Sequence, residues 1–263
     1  ETLPLTWQLS INSDKTAPAL TVETISAKTY GDAAFDLKVS TESNGKISYE
    51  RIEGPITLSG SQVNINGSGN AKVKVSVSET DEYAADEEEV SFQINKANPT
   101  INFEKVADKT YGDAPFTLEA TSSIDKEVSF TVKKGSVEIT DKTVKINGAG
   151  EVEIEASTQE STNYLKANKS ISFRVQKANQ TISFGSLENV IFEKGKEIPL
   201  SATSDSKLDV TFSIKEGEDK VALDGSVLTV QGAGSVTIEA TQSGNENINP
   251  ATSVSHTFEV TKA

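Results

Sequence analysis

The chain has 263 residues, with 39 acidic and 25 basic side chains, a net charge of −14 and no cysteine. An acidic surface repels phosphate backbones, so we expect no binding to nucleic acid. The absence of cysteine excludes disulfides, thiolate metal sites and cysteine nucleophiles. Hydrophobic residues form no run near the roughly 20 in succession that a membrane-spanning helix needs, so no span is expected.

The chain opens on Glu1, with neither an initiator methionine nor a basic-then-apolar leader. We therefore expect a mature fragment of something longer. An exported protein built from small domains without disulfides fits a bacterial surface better than an animal one. A cytosolic location is equally compatible with a lack of cysteine, so this indication is weak.

Residues 1–16 do not fit the pattern that the rest of the chain follows. They include Trp7, the only tryptophan, within one or two short alternating runs. Two interpretations stay open for this stub: the tail of a preceding module, which we favour, or an extra strand on the first repeat.

An internal repeat with a period of 81 to 85 residues organises everything after the stub. The sequence Lys-Thr-Tyr-Gly-Asp-Ala at 28–33 recurs at 109–114. The turn sequence Asn-Gly-x-Gly at 66–69 recurs at 147–150, and a looser copy stands at 231–234. A fixed period of this size indicates one module used three times. The predicted repeats are 17–97, 98–178 and 179–263.

The second repeat shows the strand pattern most clearly. Short runs that alternate polar and apolar residues are typical of strands with one buried and one wet face. Seven such runs in about 80 residues favour an all-β fold of three tandem immunoglobulin-like β-sandwich domains. The joints contain Lys-Ala-Asn rather than a Gly/Ser tether, which predicts an elongated rod. The runs are 100–103, 116–120, 128–132, 137–139, 143–146, 152–156 and 171–175.

The repeated motifs supply the candidate site residues. In the Tyr-Gly-Asp motif, glycine allows a tight backbone path, aspartate can bond a nearby amide and tyrosine can close the end of the core. A ligand-gripping role is the alternative, but the third repeat has Phe192 and Gly195 there and no aspartate. We interpret the Asn-Gly pairs as hairpin turns that need positive φ. The candidate residues are Tyr30, Gly31, Asp32, Asn66, Gly67, Tyr111, Gly112, Asp113, Asn147 and Gly148.

These motifs resemble the bacterial MBG domains of the YGX and YDG types. The resemblance covers nearly all of the first two repeats through Thr-Tyr-Gly-Asp, the Phe-x-Leu at Phe35 and Leu37 and at Phe116 and Leu118, the Asn-Gly-x-Gly turn and the Lys-Ala-Asn-Pro joint. In the third repeat it depends on Gly-Ala-Gly-x-Val-x-Ile. It implies immunoglobulin-like modules in large exported proteins, notably of Bacteroidetes, with surface display and adhesion or spacing as the role. No catalytic or binding residues define the family.

Two features could bind a metal ion or take part in catalysis, and we favour an interpretation without either role for both. The single histidine, His256, cannot build a two-histidine metal site. The acids at 81–82 and 86–89 flank Tyr83 and could offer calcium ligands, but they follow no Asp-x-Asp-x-Asp-Gly pattern. We interpret them as a solvated acidic loop. No metal, cofactor or catalytic residue is predicted.

The sequence thus predicts a non-enzymatic, extracellular or cell-surface segment, monomeric, that acts as an adhesin or a stalk. One alternative is a specific module for a glycan or protein ligand. Only 16 residues are aromatic, and most fall on core positions, which leaves few for stacking on sugars. The other alternative is an accessory region of a larger secreted enzyme.

Overall fold

The computed structural model describes residues 15–262. Every regular element in that range is a β-strand, which confirms the all-β prediction. Nearly all of the stub predicted at 1–16, with Trp7, lies outside the described residues. The described range contains no helix that could cross a membrane.

Each repeat contributes nine strands in the same order. In the first repeat they are β1 (Thr21–Val22), β2 (Lys28–Thr29), β3 (Phe35–Asp36), β4 (Val39–Ser40), β5 (Ile47–Glu53), β6 (Ile56–Ser59), β7 (Gln62–Ile65), β8 (Gly69–Val77) and β9 (Asp86–Asn95). In the second they are β10 (Ile101–Phe103), β11 (Lys109–Thr110), β12 (Phe116–Thr117), β13 (Ala120–Ser122), β14 (Ser129–Lys134), β15 (Val137–Thr140), β16 (Thr143–Ile146), β17 (Gly150–Thr158) and β18 (Ala167–Gln176). In the third they are β19 (Ile182–Phe184), β20 (Val190–Ile191), β21 (Glu197–Pro199), β22 (Ala202–Ser204), β23 (Thr211–Glu216), β24 (Val221–Asp224), β25 (Val227–Val230), β26 (Gly234–Thr241) and β27 (Val254–Thr261).

The strands of each repeat form two facing layers. In the first repeat, one sheet has the order β2-β9-β8-β5, and the other layer comprises β3-β7-β6 with the pair β1-β4. The second and third repeats reproduce these sheets strand for strand. Only the first strand of the four-stranded sheet is parallel to its neighbour, with Lys28 opposite Ile94 in the first repeat. This is the immunoglobulin-like sandwich, with its first strand divided between the two sheets.

Period-two alternation places the core. In β8, Val73, Val75 and Val77 are fully buried, whereas Lys74 and Ser76 between them are half-buried on the other face. Burying a side chain of this size contributes roughly 1.5–3 kcal/mol. Equivalent strands β17 and β26 bury Val, Ile and Ala in the same alternation, so each repeat has its own core.

In the second repeat, where the strands were predicted individually, the sequence missed one strand and merged two others. The strand Lys109–Thr110 is only two residues long and shows no alternation, but it pairs in parallel with β18. The single run predicted at 116–120 forms two strands that pair with different partners, β12 with β16 and β13 with β10. Short strands of this kind are set by tertiary pairing rather than by local pattern.

Each repeat also has a glycine directly after a bulge in the edge strand of its four-stranded sheet. The sequence analysis did not identify these glycines. The register of β5 against β8 shifts between Arg51 and Glu53, and Gly54 follows with φ of 95°. A Cβ on Gly54 would lie 2.4 Å from the carbonyl oxygen of Asn70. Gly135 and Gly217 repeat this geometry, with a Cβ 2.6 Å from a carbonyl oxygen in each case. A side chain is therefore excluded at all three positions.

The chain forms two compact units, each held together by its own backbone contacts. Among described residues, the first unit consists of 15–100 with the second-repeat segments 122–126 and 158–167. The second unit consists of 101–121, 127–157 and 168–262. Loops of the second repeat thus associate with the first sandwich. Within the second unit, loops of the third repeat contact the second sandwich in the same way.

Candidate functional site

The candidate site is a set of contacts that we call a clasp. In each clasp, the joint before a repeat forms a backbone bridge with the loop that precedes the last strand of that same repeat. Ala97 forms a parallel bridge with Tyr164. Its amide donates to the carbonyl of Asn163 at 2.9 Å, and its carbonyl accepts from the amide of Leu165 at 2.9 Å. All of these residues belong to the first compact unit.

The same clasp recurs in the third repeat. Ala178 bridges Ile248, donates to the carbonyl of Asn247 at 3.0 Å and accepts from Asn249 at 2.8 Å, all within the second compact unit.

The first repeat carries this clasp too. Thr16 bridges Tyr83, donates to Glu82 at 3.0 Å and accepts from Ala84 at 3.0 Å. Thr16 directly precedes the predicted first repeat, as Ala97 and Ala178 precede the second and third. Because only backbone atoms form this bridge, it survives the exchange of threonine for alanine.

A lysine precedes each bridging residue and reaches into the same loop. Lys15 pairs with Glu79 and donates to the carbonyl of Thr80 at 2.6 Å. Lys96 pairs with Glu160 at 2.5 Å. Lys177 donates instead to the carbonyl of Asn245 at 2.7 Å. Exposed ion pairs contribute little to stability, so these lysines position the loop more than they strengthen it.

The Asn-Gly-x-Gly segments are not hairpin turns, contrary to the sequence interpretation. Asn66 and Gly67 connect β7 to β8, and these two strands lie in different sheets, so the segment crosses the sandwich. Only the second glycine of the motif, Gly69, has positive φ, at 143°; neither Asn66 nor Asn147 does. The misassignment arose because a crossover and a hairpin use the same turn residues.

These crossover turns receive a side chain from the following repeat. The amide of Ser68 donates to Oδ1 of Asn163 at 3.0 Å, and Oγ of Ser68 donates to the carbonyl of Thr162 at 2.5 Å. A Cβ on Gly67 would lie 3.1 Å from the same Oδ1 of Asn163.

In the second repeat, Asn147 and Gly148 begin the equivalent crossover turn. The amide of Ala149, the residue after Gly148, donates to Oδ1 of Asn247 at 2.8 Å. The first glycine of each motif is thus the small residue that lets the asparagine approach.

The Tyr-Gly-Asp turns lie where the short parallel strand ends. In the first repeat, the amide of Thr29 donates to Oδ2 of Asp32 at 2.8 Å. The amide of Asp32 in turn donates to the carbonyl of Thr29 at 3.0 Å. Gly31 takes φ of 96° with open space around it. The amide of Tyr30 donates to the end of β9, at the carbonyl of Asn95.

The turn of the second repeat has the same hydrogen bonds. Thr110 donates to Asp113 at 2.8 Å, Gly112 has φ of 94° and Tyr111 donates to Gln176. In the third repeat, Phe192 holds the tyrosine position and donates to Thr261 at 2.8 Å.

The tyrosine ring of the first motif faces the next repeat. The ring centroids of Tyr30 and Tyr164 lie 5.3 Å apart at an interplanar angle of 88°, an edge-to-face pair within the first compact unit. This geometry offers no flat platform for a sugar ring. The two rings therefore contribute to the contact between the turn and the clasp loop.

The acidic segment is strand rather than loop from Asp86 onward, which corrects the interpretation of 86–89 as part of a loop. Lys74 lies 3.2 Å from the carboxylate of Glu50 and 3.6 Å from that of Glu87. The hydrogen bond to Glu50 and the charges of both acids raise the pKa of Lys74. The described residues contain no group of three or more His, Asp or Glu side chains placed to hold a metal ion.

His256 lies on β27 and contacts the first strand of its repeat. Its Nε2 donates to the carbonyl of Phe184 at 2.8 Å, and the two rings lie 5.1 Å apart. The histidine is half-buried and links β27 to β19, a contact that its isolated position in the sequence did not suggest.

Comparison with known proteins assigns no family. No protein-family model matches the chain, and no curated protein matches it. Drosophila N-cadherin EC1-3 is 15% identical over 92% of this chain and 99% of that chain, with a TM-score of 0.37. The titin I-band fragment I67-I69 is 12% identical over 94% and 99%, with a TM-score of 0.33. The Sidekick-1 immunoglobulin domains 1-5 are 12% identical over 94% and 61%, with a TM-score of 0.29.

Proposed function

We propose that this chain is a non-enzymatic spacer segment of an exported protein, in which each clasp fixes the start of one immunoglobulin-like module against its neighbour. The observation that carries the proposal is the recurrence of one backbone clasp at three equivalent places, around Thr16, Ala97 and Ala178. A spacer must keep its modules oriented, and paired backbone hydrogen bonds with an added asparagine do this without a disulfide.

The chemistry of the described residues is consistent with that role. The only histidine is engaged by a backbone carbonyl, and the lysines and acids of the first four-stranded sheet pair with one another across strands. The net charge of −14 disfavours lateral association of the modules. We further propose, from the Thr-Tyr-Gly-Asp and Asn-Gly-x-Gly motifs, that these are bacterial modules of the MBG type displayed at a cell surface.

Small-angle X-ray scattering of the full chain tests the spacer. A single compact globule of this length would have a radius of gyration of about 18 Å. A monomeric spacer of 28.0 kDa should give a value well above that and a distance distribution with a long tail. A compact radius at monomer mass would contradict the proposal.

A matched variant separates a spacer with fixed joints from three loosely tethered modules. Replacing the two clasp asparagines, Asn163→Ala and Asn247→Ala, removes their hydrogen bonds to the two crossover turns and leaves the backbone clasps and all three cores intact. We expect the variant to fold but to populate a broader range of end-to-end distances, measured by pulsed dipolar spectroscopy between spin labels in the first and third repeats. Identical distributions in the two proteins would show that the asparagine contacts do not fix the orientation of the modules.

A further inference from the structure

We call the clasps at Ala97 and Ala178 the first and the second clasp. A groove of about 760 Å³ runs beside the first clasp, wholly within the first compact unit. Its volume is in the range of roughly 300–1,000 Å³ that small-molecule sites occupy. It is an open trough rather than an enclosed cavity. Its lining includes Gln93, Asn95, Lys96, Asn98, Thr162 and Leu165.

The lining has an unusual composition for this chain. The chain carries 39 acidic residues, yet no carboxylate lines the groove. Its single cation, Lys96, is neutralised by Glu160 at 2.5 Å. The remaining polar groups are uncharged carboxamides and hydroxyls. An uncharged, hydrogen-bonding ligand matches this lining, because charged ligands would find no unpaired opposite charge.

Two carboxamides are available for a ligand. Within residues 15–262, no protein group hydrogen-bonds the side chain of Asn95 or Asn98, and both are exposed. Gln93 uses one N–H on the carbonyl of Ile94 and keeps its own carbonyl. Carboxamides donate and accept in one plane, as pairs of adjacent sugar hydroxyls require.

An apolar side chain lies among these polar groups. Leu165 is 40% exposed, one of three large hydrophobic side chains exposed to this degree in the described residues. Ile94 also borders the groove, but its side chain is fully buried in the core of the sandwich, so Leu165 supplies the exposed apolar surface. A neutral saccharide combines hydroxyl edges with apolar C–H faces, so it can use both kinds of lining.

The second clasp has different side chains at the places that line the groove. Asn249 takes the place of Leu165, and its side-chain amide donates to Oδ1 of Asn179 at 2.9 Å and to the carbonyl of Lys177 at 3.3 Å. Asn179 is the equivalent of Asn98, so the carboxamide that is free at the first clasp is already bound at the second. Charged residues, Arg174 and Glu246, replace Gln93 and Thr162 there.

We propose that the groove beside the first clasp binds a neutral oligosaccharide, held by Asn95, Asn98 and Gln93 with Leu165 against an apolar sugar face. The site adds adhesion to the spacing role and does not depend on it, since the clasp bonds form without a ligand. The groove is open and offers no aromatic stacking, so the dissociation constant should be weak, on the order of 1 mM.

The test is a titration of the full chain, ¹⁵N- and methyl-labelled, with cellohexaose, xylohexaose, mannohexaose and chitohexaose, followed by NMR. At least one should produce saturable shifts in the side-chain amides of Asn95 and Asn98 and the methyls of Leu165. Leu165→Asn, which copies the second clasp, should weaken that binding about tenfold. Asn249→Ala, the matched control at the second clasp, should leave it unchanged.

Three results would overturn the proposal. One is the absence of saturable shifts at these residues with all four sugars at about ten times the expected constant. Another is equal binding by the Leu165→Asn variant. The third is hexaglycine shifting the same residues where the sugars do not, which would identify a peptide groove. Scattering and spin-label distances report the spacer separately, so either conclusion can fail alone.

Discussion

The two clasps between consecutive repeats share their backbone and differ in their side chains. At the first, Ser68 makes two hydrogen bonds to the opposing loop, and Tyr30 packs edge-on against Tyr164. At the second, Ala149 donates only its backbone amide to the opposing loop. The side-chain amide of Asn249 adds two hydrogen bonds to residues of the joint itself, Lys177 and Asn179. The bridge at Ala97 and Ala178 is the same.

This difference separates what the clasp requires from what it tolerates. The two clasps between repeats share an extended joint, an asparagine whose Oδ1 accepts from the crossover turn, and a turn held in place by its own sandwich. The rest of the contact can be aromatic, hydroxyl or carboxamide. The part that varies includes the residues that line the groove at the first clasp, where Leu165 stands in place of Asn249.

The largest expected effect comes from the support of the crossover turn. The carbonyl of Ser136 accepts from the amides of Asn147 and Gly148, and Gly135 sets its position. Gly135→Ala adds a left-handed φ penalty to a 2.6 Å clash with the carbonyl of Glu151. We expect a loss of about 2 to 4 kcal/mol in the free energy of unfolding of the second sandwich.

Gly112→Ala is the matched control for that variant. Gly112 has a similar φ, 94° against 102°, but a Cβ there would meet nothing within 4 Å. It should cost only the backbone term, about 1 to 2 kcal/mol. Calorimetry of the full chain with each variant compares the two, and equal losses would show that the close approach to β17 is unimportant.

Removal of the clasp asparagines should affect the second clasp more than the first. Asn247→Ala leaves the half-buried amide of Ala149 without its acceptor, at a cost of about 1 to 2 kcal/mol. Asn163→Ala does the same to Ser68, but the hydroxyl of Ser68 still holds the carbonyl of Thr162. Amide hydrogen exchange should therefore accelerate more at Ala149 than at Ser68. The opposite order would mean that the hydroxyl contributes nothing.

The aromatic pair is a smaller difference. Tyr164→Ile gives the first clasp the residue that the second has at that place, Ile248. An edge-to-face pair contributes about 0.5 to 1.5 kcal/mol beyond its buried area, so we expect a loss in that range. A double-mutant cycle with Tyr30→Leu measures the coupling directly. A coupling energy near zero would show that the rings meet without stabilising the contact.

Much of this architecture was predictable from the sequence, because core residues follow period two within each module and the modules repeat. The partners of the repeated turns were not. The role of Gly67 depends on Asn163, 96 residues later, and no local pattern links the two. Gly54, Gly135 and Gly217 do recur at the repeat period, so a comparison of all three repeats could have found them. The groove was beyond prediction, because Leu165 is an ordinary loop leucine until its neighbours are placed.

The smallest expected effect is a response to acid pH at Asp205, whose partner Thr181 follows the joint at Ala178. The amide of Thr181 donates to Oδ1 of Asp205 at 3.0 Å and its hydroxyl donates to Oδ2 at 2.8 Å, and these bonds lower the pKa of Asp205 below its ordinary 3.8. The contribution is therefore present above that ordinary value and is lost as the pH falls through the lowered folded-state pKa. At the equivalent place in the second repeat, the amide of Thr100 donates to the hydroxyl of Ser123 at 2.9 Å, and this hydroxyl does not titrate in the same pH range.

An NMR titration into acid should shift the Thr181 amide while that of Thr100 stays constant. Asp205→Ser should abolish the difference, and a parallel shift of both amides would show that the acid response is global.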